Sequence, residues 1–309
     1  MTKKVYNYLV DSSIWEKFKY RESDIVIASY PKSGITWLQQ IVFQLIFNGK
    51  DVSVWQESPW LDFRLGQKKT MLDILEKQKH RRVIKSHLPA FALPFSPKCK
   101  YIYVVRDGRD IAWSYHNQIS KLKDDFKDML DRTYDSSGNI FERKPLGTAH
   151  QFFIDWIETD GYYRGSFFEH VQSWWIMRNL PNVLLVHYNQ LKSDLKSEIL
   201  RIAKFLGISS QKLKIDKILE HCSFDYMKKH ATLFAPLGGK IFKGGAQSFF
   251  HRGANNDWRK ILSDEEVRRY EQLTKKRLGN ECSYWLATGY LLERGNDKRF
   301  SPVLTTRVT

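Results

Sequence analysis

Ser29-Tyr30-Pro31-Lys32-Ser33-Gly34-Ile35-Thr36-Trp37 is the stretch that decides the fold of this chain. It follows a short apolar run, residues 24–28, and opens a segment with apolar residues at helical spacing: Ile35, Leu38, Ile41, Val42, Leu45 and Ile46. The pattern predicts a strand, a tight loop and a helix start. Such a loop turns unpaired backbone N–H groups and the positive helix end toward one spot, which suits a phosphate. Lys32 adds a mobile cation, and Trp37 offers a flat face to a base. The widespread nucleotide loop GxxxxGK[ST] is not written here, because Gly34 follows the lysine instead of preceding it.

Three further runs, residues 82–86, 101–105 and 183–187, are short and rich in β-branched or aromatic residues, with helical patterns between them. All four read as buried parallel strands. Ser193 stands before Leu195, Ile199, Ile202 and Phe205 as a helix start, and Ser263 with Glu266 forms a capping-box pattern. The expected fold is α/β, a central parallel sheet flanked by helices on both faces. Ligands of such sheets sit beyond the carboxyl ends of the strands. The first three runs end there in Tyr30–Lys32, Lys85–His87 and Arg106–Asp110, so one shared site is expected.

The 309 residues permit a large core, and one domain is expected over residues 1–293. Residues 121–163 are polar and glycine-dotted around an aromatic island, Phe152, Phe153 and Trp156, and read as a mobile cover on the acceptor side. Residues 294–309 read as a basic, disordered tail. No run of about 18 apolar residues is present to span a membrane, and the start lacks a signal pattern. The three cysteines, Cys99, Cys222 and Cys282, lack metal-ligand spacing and fit free thiols in a reducing compartment, so the expected location is the cytoplasm. The net charge of +16 favours an anionic partner, although charge alone equally describes a surface kept basic for solubility.

Three constellations carry chemistry. In Lys85-Ser86-His87-Leu88-Pro89 a neutral histidine at a strand end can take a proton, its ordinary pKa lying near 6.5; a purely structural histidine is the alternative. In the segment from Arg106 to Ser114, the arginine at a strand exit can fork onto a phosphate. The serine eight positions on returns to the same helix face. An Arg–Asp ion pair capping the helix is the plainer reading. His251-Arg252-Gly253-Ala254-Asn255-Asn256-Asp257-Trp258-Arg259 is a basic loop of a kind that wraps phosphates, or an ordinary connector. The pairs Trp174–Trp175 and Phe167–Phe168 read as core.

Together these residues resemble the cytosolic-type sulfotransferases that use 3′-phosphoadenosine 5′-phosphosulfate. The family's YPKSGTTW is here YPKSGITW, Tyr30 to Trp37, and its KTHLP is KSHLP, Lys85 to Pro89. Its Arg-to-Ser spacing is matched by Arg106 and Ser114, and its YEDM-like tyrosine by Tyr188. TSFxxM corresponds to Cys222 through Met227, and RKGxxGDWK to His251 through Arg259. The resemblance runs from about residue 23 to 289, and residues 282–289 are similar to bacterial small-molecule members.

The resemblance implies that Lys32 and the amides of Ser33, Gly34, Ile35 and Thr36 hold the 5′-phosphosulfate. Trp37 and Phe224 would sandwich adenine, with Tyr188, Cys222 and Met227 beside it. Arg106, Ser114, His251, Arg252 and Gly253 would hold the 3′-phosphate. His87 would be the general base, with Lys85 and Lys32 supporting the transferring group. No metal is expected. Departures are Ile35 and Cys222 for threonines, His251 for an arginine, and Asn256 and Arg259 for a glycine and a lysine. The family's C-terminal dimer motif is not clear, so the oligomeric state stays open.

The implied acceptor pocket takes Trp55, Trp60, Asp62, Trp113, His116 and Phe167. Its aromatics favour a flat acceptor, whereas Asp62 and Glu57 favour a cationic or polyhydroxylated one. A phenol, an alcohol, an amine and a glycolipid headgroup all remain open. The rivals are a P-loop kinase, which would need Mg²⁺ held after the loop lysine, a nucleic-acid binder suggested by charge alone, and an idle relative that retains only the nucleotide site.

Overall fold

The computed structural model describes residues 3–7, 9–131, 146–161 and 165–292, Asp131 by its backbone alone. Four strands, β1 (Ile25–Ala28), β2 (Val83–Ser86), β3 (Lys100–Val105) and β4 (Val183–His187), make one parallel sheet in the order β2-β1-β3-β4. They lie within one residue of the runs expected from sequence. Ala28 sits opposite Ser86 and Tyr103, and Val105 opposite His187. This register brings the strand exits together, so Ser29, His87, Arg106 and Tyr188 all leave the same edge of the sheet.

The helices are α1 (Ile35–Phe47), α2 (Val54–Glu57), α3 (Lys68–Lys77), α4 (Gly108–Lys121), α5 (Asp124–Asp131), α6 (Ala149–Glu158), α7 (Phe167–Trp175), α8 (Tyr188–Ser193), α9 (Leu195–Phe205), α10 (Ile215–His221), α11 (Phe224–Lys229) and α12 (Asp264–Thr288). Strand residues alternate between two cores, as a two-residue side-chain period demands. Ile25, Ile27, Val83, Ile102, Val104, Leu184 and Val186 pack with residues of α1, α9 and α10. Val26, Ala28, Ile84, Tyr101, Tyr103, Val105 and Leu185 pack with residues of α4, α6, α7 and α12. Both faces are covered, which is why these strands read as continuous apolar runs.

Local chemistry sets the element ends. The capping box of α12 is present: Ser263 Oγ accepts from Glu266 N–H, and Glu266 accepts from Ser263 N–H at 2.8 Å. Helix α9 is capped by Asp194, whose carboxylate accepts from Ser197 N–H at 3.0 Å, rather than by Ser193, which closes α8. The aspartate is nearer the first apolar position and its carboxylate reaches the orphan amide. At the opposite edge of the sheet, Asp24 holds the buried Arg82 guanidinium through two bonds of 2.8 and 2.6 Å.

Within the expected cover, α5 and α6 are helices, and Phe152, Phe153 and Trp156 are buried in the core. The aromatic island therefore belongs to the interior, because its i, i+1 and i+4 spacing places three rings on one face of α6. Residues 132–145, 162 and 163 of that segment and the expected tail lie outside the described residues. No helix among the described residues is long and apolar enough to cross a membrane. A further parallel bridge pairs Trp60 with Lys85, carried by Lys85 N–H to Pro59 O at 3.3 Å and Leu61 N–H to Lys85 O at 3.1 Å. It seats residues 59–62 against the exit of β2.

Candidate active site

The loop after β1 has the backbone of an anion cradle. Lys32 and Gly34 adopt positive φ, 74° and 102°. Helix α1 begins at Ile35 with no side chain capping its first amides. Ser33 Oγ is buried and has no hydrogen-bond partner among the described residues. Gly34 is required twice over: its φ suits glycine, and an added Cβ would stand 2.6 Å from Tyr188 Cδ2. Lys32 Nζ lies 5.3 Å from the centre of the Phe249 ring.

Tyr188 is the hub beside this loop. Its ring meets Trp37 edge-to-face at 5.4 Å, and the Arg106 guanidinium stacks 4.4 Å from its centre. Trp37 is fixed by donating Nε1–H to Cys222 O at 2.8 Å. Burial pushes up the pKa of the Cys222 thiol, so it stays protonated and inert. Met227 is buried beneath this region. Phe224 lies against Gly253, where a Cβ would come within 2.7 Å of the ring.

Arg106 donates Nε–H to Asn255 Oδ1 at 3.0 Å and Nη2–H to Ala254 O at 2.6 Å, tying β3 to the 251–259 loop. Asn255 in turn donates to Asn189 Oδ1 at 2.6 Å. Asn256 takes the left-handed φ of 69° that the family's glycine would supply, and asparagine tolerates it. Its N–H donates to Asp110, whose pKa burial raises to about 6. The Arg–Asp pairing weighed from sequence is present: Asp107 caps α4 and binds Arg109 at 2.7 Å, and Arg106 Nε lies 3.9 Å from Asp110 Oδ2. Trp113 and Ser114 are half-buried on α4, and Trp113 Nε1 is buried with no partner among the described residues. Arg252 is largely exposed, 3.9 Å from Asp257. Burial lowers the pKa of His251, and Lys121, Arg252 and Lys228 lower it further. Lys121 itself donates to Ser248 O at 3.3 Å, just ahead of that loop.

His87 leaves β2 and crosses to β1. Its Nδ1 lies 2.7 Å from Ser29 O. A carbonyl only accepts, so Nδ1 carries the proton and the lone pair of the neutral ring sits on Nε2. His87 and the loop after β1 are thus joined through one residue, Ser29. The Trp60 indole stands edge-to-face on His87 at 4.6 Å, and Lys85 Nζ lies 5.1 Å from the Trp60 ring centre.

Two residues expected to line an acceptor pocket do something else. Phe167 is fully buried against Tyr30 and Trp156, at 5.2 and 5.0 Å, and is core. Asp62 is 1% exposed, with both oxygens taken up by protein donors. His116 sits beside Phe152 with Nε2 3.2 Å from Gly147 O, and Trp55 is half-buried on α2. Tyr30, read from sequence only as part of the loop motif, donates its hydroxyl to Gly161 O at 2.9 Å and anchors the loop to the segment before α7. Asn189 and Asn255 carried no signal, since nothing in spacing links Arg106 to a residue 149 positions away.

A loop with the backbone of an anion cradle at the exits of a parallel sheet, with a tautomer-fixed histidine beside it, is an arrangement suited to a nucleotide-dependent group transferase. Residues 22–281 match the model of the sulfotransferase domain, and the chain belongs to the sulfotransferase family. With that membership, the enzyme class expected from the motifs, a sulfotransferase of the 3′-phosphoadenosine 5′-phosphosulfate-dependent type, stands. The chain is 31% identical to a glycolipid sulfotransferase of Mycobacterium tuberculosis over 95% of its own length and 96% of that protein's. It is 30% identical to mouse sulfotransferase 1B1, covering 89% of each. Among solved structures it is similar to mouse sulfotransferase SULT7A1 complexed with PAP, at TM-score 0.67 and 25% identity, covering 88% of this chain and 90% of that one. It also shares its fold with a retinol dehydratase, at TM-score 0.68, 21% identity and coverage of 90% and 91%.

Proposed function

We propose that this enzyme moves a sulfuryl group from 3′-phosphoadenosine 5′-phosphosulfate to a hydroxyl or amine of a small molecule, with His87 as the general base. The observation that carries the proposal is the His87 Nδ1–H bond to Ser29 O, which turns the basic Nε2 of a histidine beside the cradle into the only proton-accepting nitrogen of its ring.

The cradle fits the donor. The unpartnered Ser33 Oγ and the uncapped amides of α1 are suited to an anion, and Gly34 and Gly253 keep the backbone close to Tyr188 and Phe224. Lys32 and the amides of residues 33–36 would hold the 5′ end, that of Ser33 by giving up its 3.3 Å bond to Tyr30 O, Trp37 and Phe224 the adenine, and Arg106, Ser114, His251, Arg252 and Gly253 the 3′-phosphate. When bound, the donor supplies an electrophilic sulfonate: an acceptor oxygen or nitrogen bonds to sulfur while the bridging S–O bond breaks and 3′-phosphoadenosine 5′-phosphate (PAP) departs. His87 Nε2 takes the acceptor's proton. Lys32, Lys85 and the loop amides stand against the charge that develops at the bridging oxygen. Losing one preorganised contact of this kind typically costs about 2.7–4 kcal/mol.

On the acceptor side, Trp55, Trp60, Trp113 and His116 stay as the proposed lining, with Asp62 and Phe167 withdrawn from it. The likeness to a mycobacterial glycolipid sulfotransferase supports beginning with glycolipids. The test is a screen of glycolipids, phenols, alcohols and amines with the sulfate donor, read as mass gain of one sulfuryl group. Calorimetry with PAP and with ATP, each with and without Mg²⁺, separates this reading from a kinase. Tight PAP binding without the metal is expected, and Mg²⁺-dependent preference for ATP would contradict it.

A further inference from the structure

Asp62 takes no part in the roles above, yet four donors converge on it. Oδ2 accepts from Trp15 Nε1–H at 3.0 Å and from Ser86 O–H at 2.5 Å. Oδ1 accepts from Trp60 Nε1–H at 2.5 Å and from the His87 backbone N–H at 3.2 Å. A carboxylate offers about four lone-pair positions, so this one is saturated. Indole and peptide N–H groups only donate. Ser86 Oγ already accepts from Leu88 N–H at 3.0 Å, which turns its own proton toward Asp62. Burial pushes the Asp62 pKa up and the four donors oppose it; since none of the three N–H groups can accept a proton from a carboxylic acid, the geometry favours the ionised form.

What these donors touch gives the carboxylate a task. Ser86 and His87 are the last residue of β2 and the one after it. Trp60 packs edge-to-face on the His87 imidazole and lies beneath the Lys85 ammonium. The Trp60–Lys85 bridge fixes the two backbones in register. One buried anion therefore grips the peptide of His87, the side chain of its neighbour, and the indole in contact with both Lys85 and His87.

We infer that Asp62 is a positioning residue for the transfer reaction, aiming the His87 imidazole and the Lys85 ammonium through Trp60 and the β2 exit without itself touching the acceptor. The inference rests on the assignment of His87 as base. The charge of Asp62 also favours the imidazolium that forms when His87 takes a proton.

The test is NMR of the His87 imidazole in the PAP-saturated protein, recording tautomer and titration. Asp62→Asn turns an NH₂ group toward at least one N–H that only donates, whichever way the amide lies, and it removes the charge. The His87 titration should move down by about one pH unit or more, the usual effect of losing a nearby opposite charge, and the pure Nδ1–H tautomer should become mixed. Trp60→Phe keeps a ring on His87 but drops one donor, and it should give a mixed tautomer with a smaller titration change. Trp15→Phe removes another donor from the same carboxylate, one that packs on Phe18 and Tyr20. It should lower the melting temperature and leave both His87 signatures unchanged. If Asp62→Asn does not fold, Trp60→Phe carries the test against Trp15→Phe. The inference is overturned if the aspartate and Trp60 variants show the wild-type tautomer and titration, or if Trp15→Phe shifts them equally. Turnover of His87→Ala is a separate arm: sustained transfer there removes the base assignment itself, whatever Asp62 does.

Discussion

At His251 the chain carries an imidazole where the family resemblance leads one to expect a guanidinium. Burial, Lys121, Arg252 and Lys228 all hold its pKa below the ordinary histidine value, so it is neutral at pH 7 in the free protein. A 3′-phosphate beside it would reverse that balance, and binding would then take up a proton. PAP affinity should therefore rise as pH falls from 8 to 6, with proton uptake seen by calorimetry in two buffers of different ionisation heat. His251→Arg should tighten binding at pH 8 and flatten this dependence, leaving only the phosphate's own titration. At Gly34, alanine would hold an unfavourable φ against Tyr188, and strain of about 1–3 kcal/mol is expected. Gly34→Ala should lose most PAP affinity in the same calorimetric assay. Residues of this kind differ in how far sequence exposes them. The positions of Lys32, His87 and Arg106 at strand exits were legible because each follows a strand whose apolar run is unmistakable. The contacts of Asp62 were not, since its partner Trp15 lies 47 positions away and the bond exists only once the chain has packed.

The elements were the more readable level. Continuous Ile/Val runs gave β1 to β4 within a residue, because strands covered on both faces leave no polar alternation to blur them. Errors arose where one residue type serves two purposes. Ser193 and Asp194 are both good caps, and the carboxylate nearer the helix won. Phe167 suits a pocket wall as well as a core, and only the packing of Tyr30 and Trp156 around it decides. The Asp24–Arg82 pair between the first two strands makes an element-level prediction. Arg82 is 1% exposed and also stacks on Phe18 at 4.7 Å, so removing Asp24 leaves a buried cation with no buried anion, held only by the exposed Glu76 carboxylate at 3.2 Å and by Lys19 O at 2.7 Å. Asp24→Ala should lower the unfolding free energy by about 3–5 kcal/mol in urea titration.

Across the whole molecule, the formal charge of +16 sits with the use of a multiply charged anionic donor, and Lys121, Lys228 and Arg252 gather part of that charge around His251. Stability carries a pH signature of its own. His187 ends β4, accepts from Asn189 N–H on Nδ1 and donates Nε2–H to Leu286 O, so only its neutral form fits. Burial lowers its pKa to about 4. In the unfolded chain it titrates near 6.5, so the stabilisation is complete above that pH and is lost as pH falls toward about 4. The unfolding free-energy advantage of wild type over His187→Asn, read from urea titrations, should narrow across that window by up to about 1.4 kcal/mol per pH unit.

The central claim joins the cradle of residues 32–37 to the imidazole of His87. It is tested most directly by following sulfuryl transfer and PAP binding side by side in His87→Ala. The account predicts PAP affinity close to wild type with transfer slowed by about a hundredfold or more. Transfer at the wild-type rate in that variant would contradict it, as would a wild-type protein with no affinity for PAP.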